Sequence, residues 1–249
     1  RPLTRLYQRV AAGKTYEVRT AGASVRLYTN GAFHSQWHPK QIFQGAVWDL
    51  LSLPALLRAE PPKTILALGV GGGTALHQLY HLEPWQRAIG IDIDGEHLRL
   101  AKRFFKLQYP GLTLRQDDAI AWIAEHQETF DYLIDDLFLD GAQDPERPEP
   151  IGEAWLTDLF NRTTYNGVLI QNHLDVQHAR ACFKAYRSWF KKRFSRVLLL
   201  TSATFTNGVL AAYRGPVDVR QIGLQFNLGL KSRGLPTNGL SRISARVLQ

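Results

Sequence analysis

Acidic residues follow three successive apolar segments of the sequence, and a glycine cluster precedes them. The cluster is the stretch "LGVGGGT" behind "TILA". The acidic pairs are Asp92 and Asp94, Asp117 and Asp118, and Asp135 and Asp136. A carboxylate at a strand end can accept hydrogen bonds from both ribose hydroxyls or from an adenine amino group. These residue types indicate a nucleoside site, and Asp135 and Asp136 are expected next to it.

Three of the glycines alternate on the turn that follows the first apolar strand. Gly69, Gly71 and Gly73 permit a tight turn and let a ligand approach the backbone closely. No lysine follows them as in a phosphate-binding P-loop, so a nucleoside without a phosphate anchor fits best. Each aspartate alone could be a helix N-cap, but their succession at three strand ends favours a shared site.

Apolar strand patterns alternate with helical patterns from Thr64 onward. This alternation predicts an α/β fold with a Rossmann-like, doubly wound and mostly parallel sheet. The segments "SRVLLLTSAT" and "NGVLAAYRG" predict an antiparallel strand pair that closes the sheet, and the Asn30-Gly31 turn predicts a small N-terminal β-hairpin region. We expect three parts: residues 1–40 as the β region, 41–216 as the nucleoside-binding catalytic domain, and 217–249 as a basic, loop-rich C-terminal extension.

The positive charge is concentrated in the last third of the chain. The net charge is +8, and residues 175–249 contain 13 Lys and Arg against 2 Asp and Glu. The densest part, "ARACFKAYRSWFKKRFSR", predicts a helix that packs an aromatic stripe on the sheet and keeps its basic face in water. We therefore do not expect nucleic acid as a partner. No apolar run is long enough to span a bilayer, and the single Cys182 fits a reducing cytoplasm. The sequence leaves a homodimer open.

In the order and spacing of its motifs, the sequence resembles the spermidine synthases (polyamine aminopropyltransferases), which share the fold of S-adenosylmethionine-dependent methyltransferases. The resemblance runs from about Leu27 to about Arg214. The stretches that carry it are "LYTNGAFHSQW", "IFQGAVWDLLSLP", "LGVGGGT", "IDID", "QDDA" and "FDYLIDD".

The resemblance implies a role for each matching position. The loop residues Gly69, Gly71, Gly72 and Gly73 would contact the methionine-derived chain of the cofactor. Asp92, with Asp94 close by, would hold the ribose, and Asp118 with the Ala119 N–H would hold the adenine. His34 falls on a nucleoside-contacting glutamine, and Gln44 falls on the second position of a Tyr-His/Gln-Glu motif. Asp136 falls on the catalytic aspartate, which deprotonates the attacking amine, with Asp135 and Asp140 as further candidates.

The sequence also departs from the family where the polyamine should bind. Gly71 replaces an aspartate that pairs with the amine of decarboxylated S-adenosylmethionine, and Gly45 replaces a polyamine-binding glutamate. A second acidic position holds Leu139, followed by Asp140. We expect the nucleoside half of the site to be kept, the polyamine half to be lost, and backbone amides near Gly71 to be free for a ligand carboxylate.

Three hypotheses follow from these residues. The first is a methyltransferase-like enzyme that uses intact S-adenosylmethionine on a small-molecule acceptor. The second is an aminopropyltransferase that uses the decarboxylated cofactor on an amine. The third is a non-catalytic protein that binds a nucleoside or a partner. No Cys/His cluster has ligand spacing, and the sulfonium supplies its own leaving group, so we expect no metal.

Overall fold

The computed structural model describes residues 3–138, 147 and 151–249. Its strands are β1 (Thr4–Ala11), β2 (Lys14–Ala21), β3 (Ser24–Thr29), β4 (Ala32–Trp37), β5 (Thr64–Leu68), β6 (Arg87–Asp92), β7 (Leu112–Gln116), β8 (Phe130–Asp135), β9 (Thr163–His173), β10 (Arg196–Ser202), β11 (Gly208–Tyr213) and β12 (Ile243–Val247). Its helices are α1 (Val47–Ser52), α2 (Thr74–Leu82), α3 (Gly95–Phe104), α4 (Ala119–Glu125), α5 (Glu153–Asn161), α6 (Val176–Ala185), α7 (Arg187–Arg193) and α8 (Ile222–Lys231). Two 3-10 turns span Leu53–Leu57 and Asn238–Arg242.

The central sheet has eight strands in the order β12-β10-β11-β9-β8-β5-β6-β7. The strands from β9 to β7 pair in parallel, whereas β11, β10 and β12 pair antiparallel. One face packs against α1, α2 and α8, and the other against α4 to α7. Strand β5 is apolar after Thr64, and β8 is buried at five of its six positions, because both faces of the sheet are covered here. The predicted α/β fold, with its mostly parallel sheet and antiparallel closure, is confirmed.

The C-terminal segment is more ordered than the sequence pattern indicated. Residues 217–249 contain α8 and β12, and β12 pairs with β10 from Leu198↔Val247 to Ser202↔Ile243. The segment therefore completes the central sheet. Its strand "ISARV" is short, mixed in polarity and at an edge, so it lacks the apolar run by which the other strands were recognised.

The N-terminal strands form a separate four-stranded antiparallel sheet in the order β1-β2-β3-β4. Its buried face packs Tyr16, Val18 and Leu27 against Leu100 and Phe105, which lie on α3 and just after it. This packing places β4 directly beside the turn between β5 and α2. None of the helices within the described residues combines the length and the apolar character needed to cross a membrane.

Candidate functional site

Asp92 organises the glycine loop between β5 and α2. Its Oδ2 accepts hydrogen bonds from the backbone amides of Val70 and Gly71, at 3.0 and 2.8 Å, and its Oδ1 accepts from Asp94 N–H at 2.9 Å. The residue is 8% exposed. A carboxylate offers about four acceptor positions, so about one remains for a ribose hydroxyl. Both ribose hydroxyls could be accepted only if the loop released an amide.

The remaining amides of the loop are also occupied. Gly72 N–H donates to Ser35 Oγ on β4 at 2.7 Å. Gly69 N–H donates to Ile91 O, and Gly73 N–H donates to Val70 O, each at 2.8 Å. The expectation that amides near Gly71 are free for a carboxylate is therefore wrong, because Asp92 and Ser35 satisfy them.

Glycine is required in this loop by its backbone angles and by its neighbours. Gly69 has φ +83° and Gly71 has φ +54°. A Cβ on Gly69 would collide with the carbonyl oxygen of Asp136, and a Cβ on Gly71 would lie 2.9 Å from Ser35 Oγ. The loop is thus packed tightly between the end of β8 and β4, and a hydroxyl stands beside the position where the resembling family has an acid.

Asp94 has a different environment from the one predicted. Its carboxylate caps α3 by accepting from Glu96 N–H at 3.0 Å and His97 N–H at 3.3 Å, and it accepts from Tyr16 Oη at 2.8 Å. Lys14 Nζ lies 3.5 Å away. Its oxygens are therefore committed to the helix end and to β2 rather than to a cofactor. Aspartate is a preferred N-cap, so this geometry favours a structural role for Asp94, and its assignment to the cofactor stays a prediction.

Asp118 lies at the predicted strand end and is exposed. Its Oδ1 caps α4 by accepting from Ile120 N–H at 2.8 Å and Ala121 N–H at 3.4 Å. The preceding residue, Asp117, donates its N–H to Asp92 O at 3.1 Å, which brings this corner next to the glycine loop. Ala119 begins α4 with a buried side chain. The structure thus brings the proposed ribose and adenine positions together.

The two aspartates that end β8 point to opposite faces of the sheet. Asp136 is half-buried, its N–H donates to Leu68 O at 2.9 Å, and its Oδ1 accepts from Asn172 Nδ2 at 2.7 Å. Burial raises the pKa of Asp136 to about 7, and the charges of Asp135 and Asp92 act in the same direction. A carboxylate with this pKa can act as a general base near neutral pH.

Asp135 is fully buried and saturated with hydrogen bonds. Arg147 binds both of its oxygens through Nη2 at 2.7 and 2.8 Å. Trp155 Nε1 and Gln171 Nε2 donate to Oδ2 at 3.0 and 3.2 Å. Such a carboxylate cannot accept a proton from a substrate without breaking these bonds. Arg147 was not predicted, because an arginine inside the polar stretch "DPERPEP" carries no signal of its partner.

The other sequence-predicted contacts have varied surroundings. The ring centroid of His34 lies 4.9 Å from that of His97, on the α3 side of β4. Gln44 Oε1 accepts from Gln36 Nε2 at 2.6 Å, and its Nε2 donates to Gln41 O at 2.9 Å, so both ends of this amide have protein partners. Asp140 lies outside the described residues.

The position of the lost polyamine-binding glutamate is filled by the C-terminal segment. A Cβ on Gly45, which has φ +77°, would lie 2.7 Å from Gly239 O and 2.8 Å from Arg242 Cβ. Ser202 Oγ donates to Gly45 O at 2.6 Å, and Arg242 Nη1 donates to Gln44 O at 3.1 Å. An acidic side chain could not be accommodated here without moving the 3-10 turn that precedes β12.

In the part of the chain that the structure describes, no group of three or more His, Cys, Asp or Glu side chains is arranged to hold a metal ion. The polar groups around the loop are instead arranged for hydrogen bonding. The arrangement combines the glycine turn after β5 with two carboxylates on the neighbouring strands. Asp92 ends β6 on one side of β5, and the half-buried Asp136 follows β8 on the other side.

Comparisons with known proteins identify the same region. The family profile described as "Methyltransferase domain" matches residues 60–198. A polyamine aminopropyltransferase of Saccharolobus solfataricus is 29% identical over 118 residues, which cover 45% of this chain and 38% of that protein. The aligned stretch therefore spans well under half the length of that relative.

Solved structures extend the similarity over most of the chain. A probable spermidine synthase from Corynebacterium glutamicum superposes with a TM-score of 0.70 at 15% identity, covering 97% of this chain and 90% of the other. Human methyltransferase-like protein 13, in complex with SAH, superposes with a TM-score of 0.57 at 21% identity, covering 74% and 86%. These neighbours share the fold, and the resemblance to spermidine synthases is confirmed. Because the profile covers more than half of the sequence and includes both the glycine loop and Asp136, the chain belongs to the methyltransferase domain family.

Proposed function

We propose that the protein transfers an alkyl group from an S-adenosylmethionine-type sulfonium to a small amine acceptor, with Asp136 as the base. The observation that carries the proposal is the placement of Asp136. This half-buried carboxylate has its pKa raised to about 7, and its backbone packs directly on Gly69. Asp135, its neighbour in the chain, is neutralised by Arg147 and faces the other side of the sheet.

The proposed cofactor position is the surface bordered by the glycine loop, Asp92 and Asp118. Asp92 retains about one acceptor position for ribose, and Asp118 is exposed at the corner where adenine would lie. The SAH-bound neighbour and the aminopropyltransferase relative support an adenosyl-sulfur compound as ligand. We assign Asp92 to the ribose, Asp118 with Ala119 to the adenine, His34 to a further nucleoside contact, and the glycine loop to the methionine-derived chain.

The transfer needs only a nucleophile, a base and the sulfonium. The acceptor ammonium first loses a proton to Asp136, because an ammonium has no lone pair. The amine nitrogen then forms a bond to the carbon next to sulfur while the carbon–sulfur bond breaks, and the sulfur leaves as a neutral thioether. Asn172 Nδ2 donates to Asp136 Oδ1 at 2.7 Å, and we assign the proton transfer to the other oxygen.

We propose intact S-adenosylmethionine, and hence methyl transfer, as the first candidate reaction. At Gly71 there is no carboxylate to pair with the amine of a decarboxylated cofactor, and Ser35 Oγ stands there instead. A carboxylate at this place would also repel the carboxylate of the intact cofactor, by about 4 kcal/mol at 4 Å and a surface-like dielectric. With glycine at position 71 and the uncharged Ser35 hydroxyl beside it, that repulsion is absent.

Aminopropyl transfer is the second candidate, and the aminopropyltransferase relative favours it. For a diamine acceptor, however, the second ammonium would need a counter-charge. The C-terminal segment packs against Gly45, where the resembling family has its glutamate. An acceptor with a single amine fits this arrangement better than putrescine does.

Calorimetry with intact S-adenosylmethionine, its decarboxylated form and S-adenosylhomocysteine tests the proposal. We expect saturable binding of the intact and demethylated compounds. Mass spectrometry of an amine panel incubated with each donor then identifies methyl or aminopropyl products. Asp136→Asn should lower the rate of product formation by about 10²–10⁴ while retaining cofactor binding, whereas Asp218→Asn, a surface change, should alter neither. Failure of all three compounds to bind would refute the proposed function, and product from Asp136→Asn at the parent rate would refute the base.

A further inference from the structure

A second carboxylate, that of Asp135, lies next to Asp136 at the end of β8. Asp135 and Asp136 are adjacent, so their Cα atoms are about 3.8 Å apart. Two such carboxylates raise each other's pKa strongly when both are buried and unbalanced, and one of them then stays protonated. Near Asp136 the charged groups are Asp135 on the same strand, Asp92 from β6 and Arg147, while Asn172 from β9 supplies a neutral hydrogen bond.

Arg147 balances the second carboxylate. Its guanidinium approaches both Asp135 oxygens within 2.8 Å, and its side chain is only 12% exposed. Its Nη1 also donates to the backbone oxygen of Asn172 at 3.3 Å. Asn172 is the residue on β9 whose side chain donates to Asp136. Arg147 therefore contacts the backbone of Asn172, whose side chain binds Asp136, and it also neutralises Asp135.

The histidine beside this ion pair carries no compensating charge. His173 is buried at the end of β9, close to Arg147 and Asp135. Burial lowers the pKa of His173 to about 4, so the ring is neutral at neutral pH. Among the described residues, the charges that act on Asp136 are therefore those of Asp135, Arg147 and Asp92, and Arg147 is paired with Asp135.

From this geometry we infer that Arg147 is a positioning residue: by binding Asp135 on the opposite face of the sheet, it prevents the negative charge of Asp135 from acting unbalanced on Asp136. The inference rests on the proposed role of Asp136 as the base. It predicts that charge changes at the two partners move the titration of Asp136 in opposite directions. A purely structural contact would not do so, because loss of either partner would disturb the same strand end in the same way.

Titration of carboxyl-labelled aspartate by NMR tests this directly, without requiring an acceptor. The Asp136 signal is assigned by its loss in Asp136→Asn. Arg147→Gln keeps a hydrogen-bond donor for Asp135 but removes the positive charge, so it should raise the pKa of Asp136 by about one unit. Asp135→Asn leaves Arg147 unopposed and should lower it. The double variant Asp135→Asn/Arg147→Gln removes both charges and should return it close to the parent value.

Two controls separate the possible failures. Arg147→Lys keeps the charge and should leave the Asp136 titration near that of the parent. If Asp135→Asn does not fold, the comparison of Arg147→Gln with the double variant carries the test. An unchanged Asp136 titration in Arg147→Gln, or shifts of the same sign in both single variants, would overturn the inference. A parent Asp136 that titrates near its ordinary value, with S-adenosylhomocysteine still bound, would instead contradict the proposed base.

Discussion

Replacing Gly69 by alanine should destabilise the protein and weaken its hold on S-adenosylhomocysteine. Gly69 has φ +83°, and its added Cβ would collide with the carbonyl oxygen of Asp136 and lie 2.9 Å from the carbonyl carbon. Those are backbone atoms at the end of β8, so no flexible side chain can move aside. The glycine loop and the carboxylate at the strand end would have to separate.

The size of the effect follows from two contributions. An alanine in a left-handed conformation costs about 1–2 kcal/mol, and overpacking against a rigid neighbour costs about 1–3 kcal/mol more. The free energy of unfolding should therefore fall by about 2–5 kcal/mol. For a chain of this size each kcal/mol lowers Tm by about 2–4 °C. Gly234 provides a matched control, because it has φ +65° and no atom within 4 Å of its built Cβ. Gly234→Ala should lose only the first contribution.

Thermal unfolding and calorimetry with S-adenosylhomocysteine measure the two effects together. We expect Gly69→Ala to lose at least twice the Tm that Gly234→Ala loses, and to bind the ligand more weakly, whereas Gly234→Ala should bind it like the parent. Equal losses of Tm in the two variants would show that backbone conformation alone is at stake. Unchanged ligand affinity in a folded Gly69→Ala would refute the view that the loop and Asp136 border one site.

The remaining predictions concern the acidic residues. Asp92→Asn should weaken S-adenosylhomocysteine binding by about 1–3 kcal/mol in calorimetry, because a charged acceptor of the loop and of the ribose is lost; parent-like affinity would remove the ribose assignment. Asp94→Ala should lower the free energy of unfolding by about 0.5–2 kcal/mol through loss of the α3 cap, with ligand affinity unchanged; weaker binding would return Asp94 to the cofactor. Product formation should rise with pH through about 7 as Asp136 loses its proton, and should fall by about 10²–10⁴ in Asp136→Asn; a flat pH–rate profile would contradict this. The raised pKa of folded Asp136 means that its contribution to stability is greatest below about pH 4 and is lost as pH rises through about 7, so Asp136→Asn should gain Tm relative to the parent at about pH 8 but not at about pH 4.

Most of the parallel half of the fold could be predicted because strands such as β5 and β6 are buried on both faces. Their segments "TILAL" and "RAIGID" have apolar centres, and the glycines and aspartates at their ends mark where each strand ends. Strand β12 could not be predicted in this way. It lies at the sheet edge, where only one side needs a partner, and its residues alternate without a strong apolar bias.

Within the candidate site, the sequence predicted positions better than partners. Asp92 and Asp118 lie at the expected strand ends, since strand-end position depends on local pattern. The commitments of each side chain depend on contacts distant in sequence. Ser35 reaches Gly72 across 37 residues, and Tyr16 reaches Asp94 across 78. Local sequence patterns do not identify contacts between residues so far apart in the chain. For this reason the loop amides were expected to be free, and Asp94 was expected to face the cofactor.

The same limit explains why Asp135 and Asp136 looked equivalent in the sequence. Alternation along a strand places neighbours on opposite faces, so a pair of aspartates at a strand end always divides between two environments. Which face is the reactive one depends on what each face contains. Here one face holds Arg147, Trp155 and Gln171, which fix Asp135 as an ion pair, whereas the other holds Asn172 and the glycine loop, which leave Asp136 half-buried and able to titrate. Chemical difference between adjacent identical residues is therefore created by the elements that pack on the two faces of the sheet.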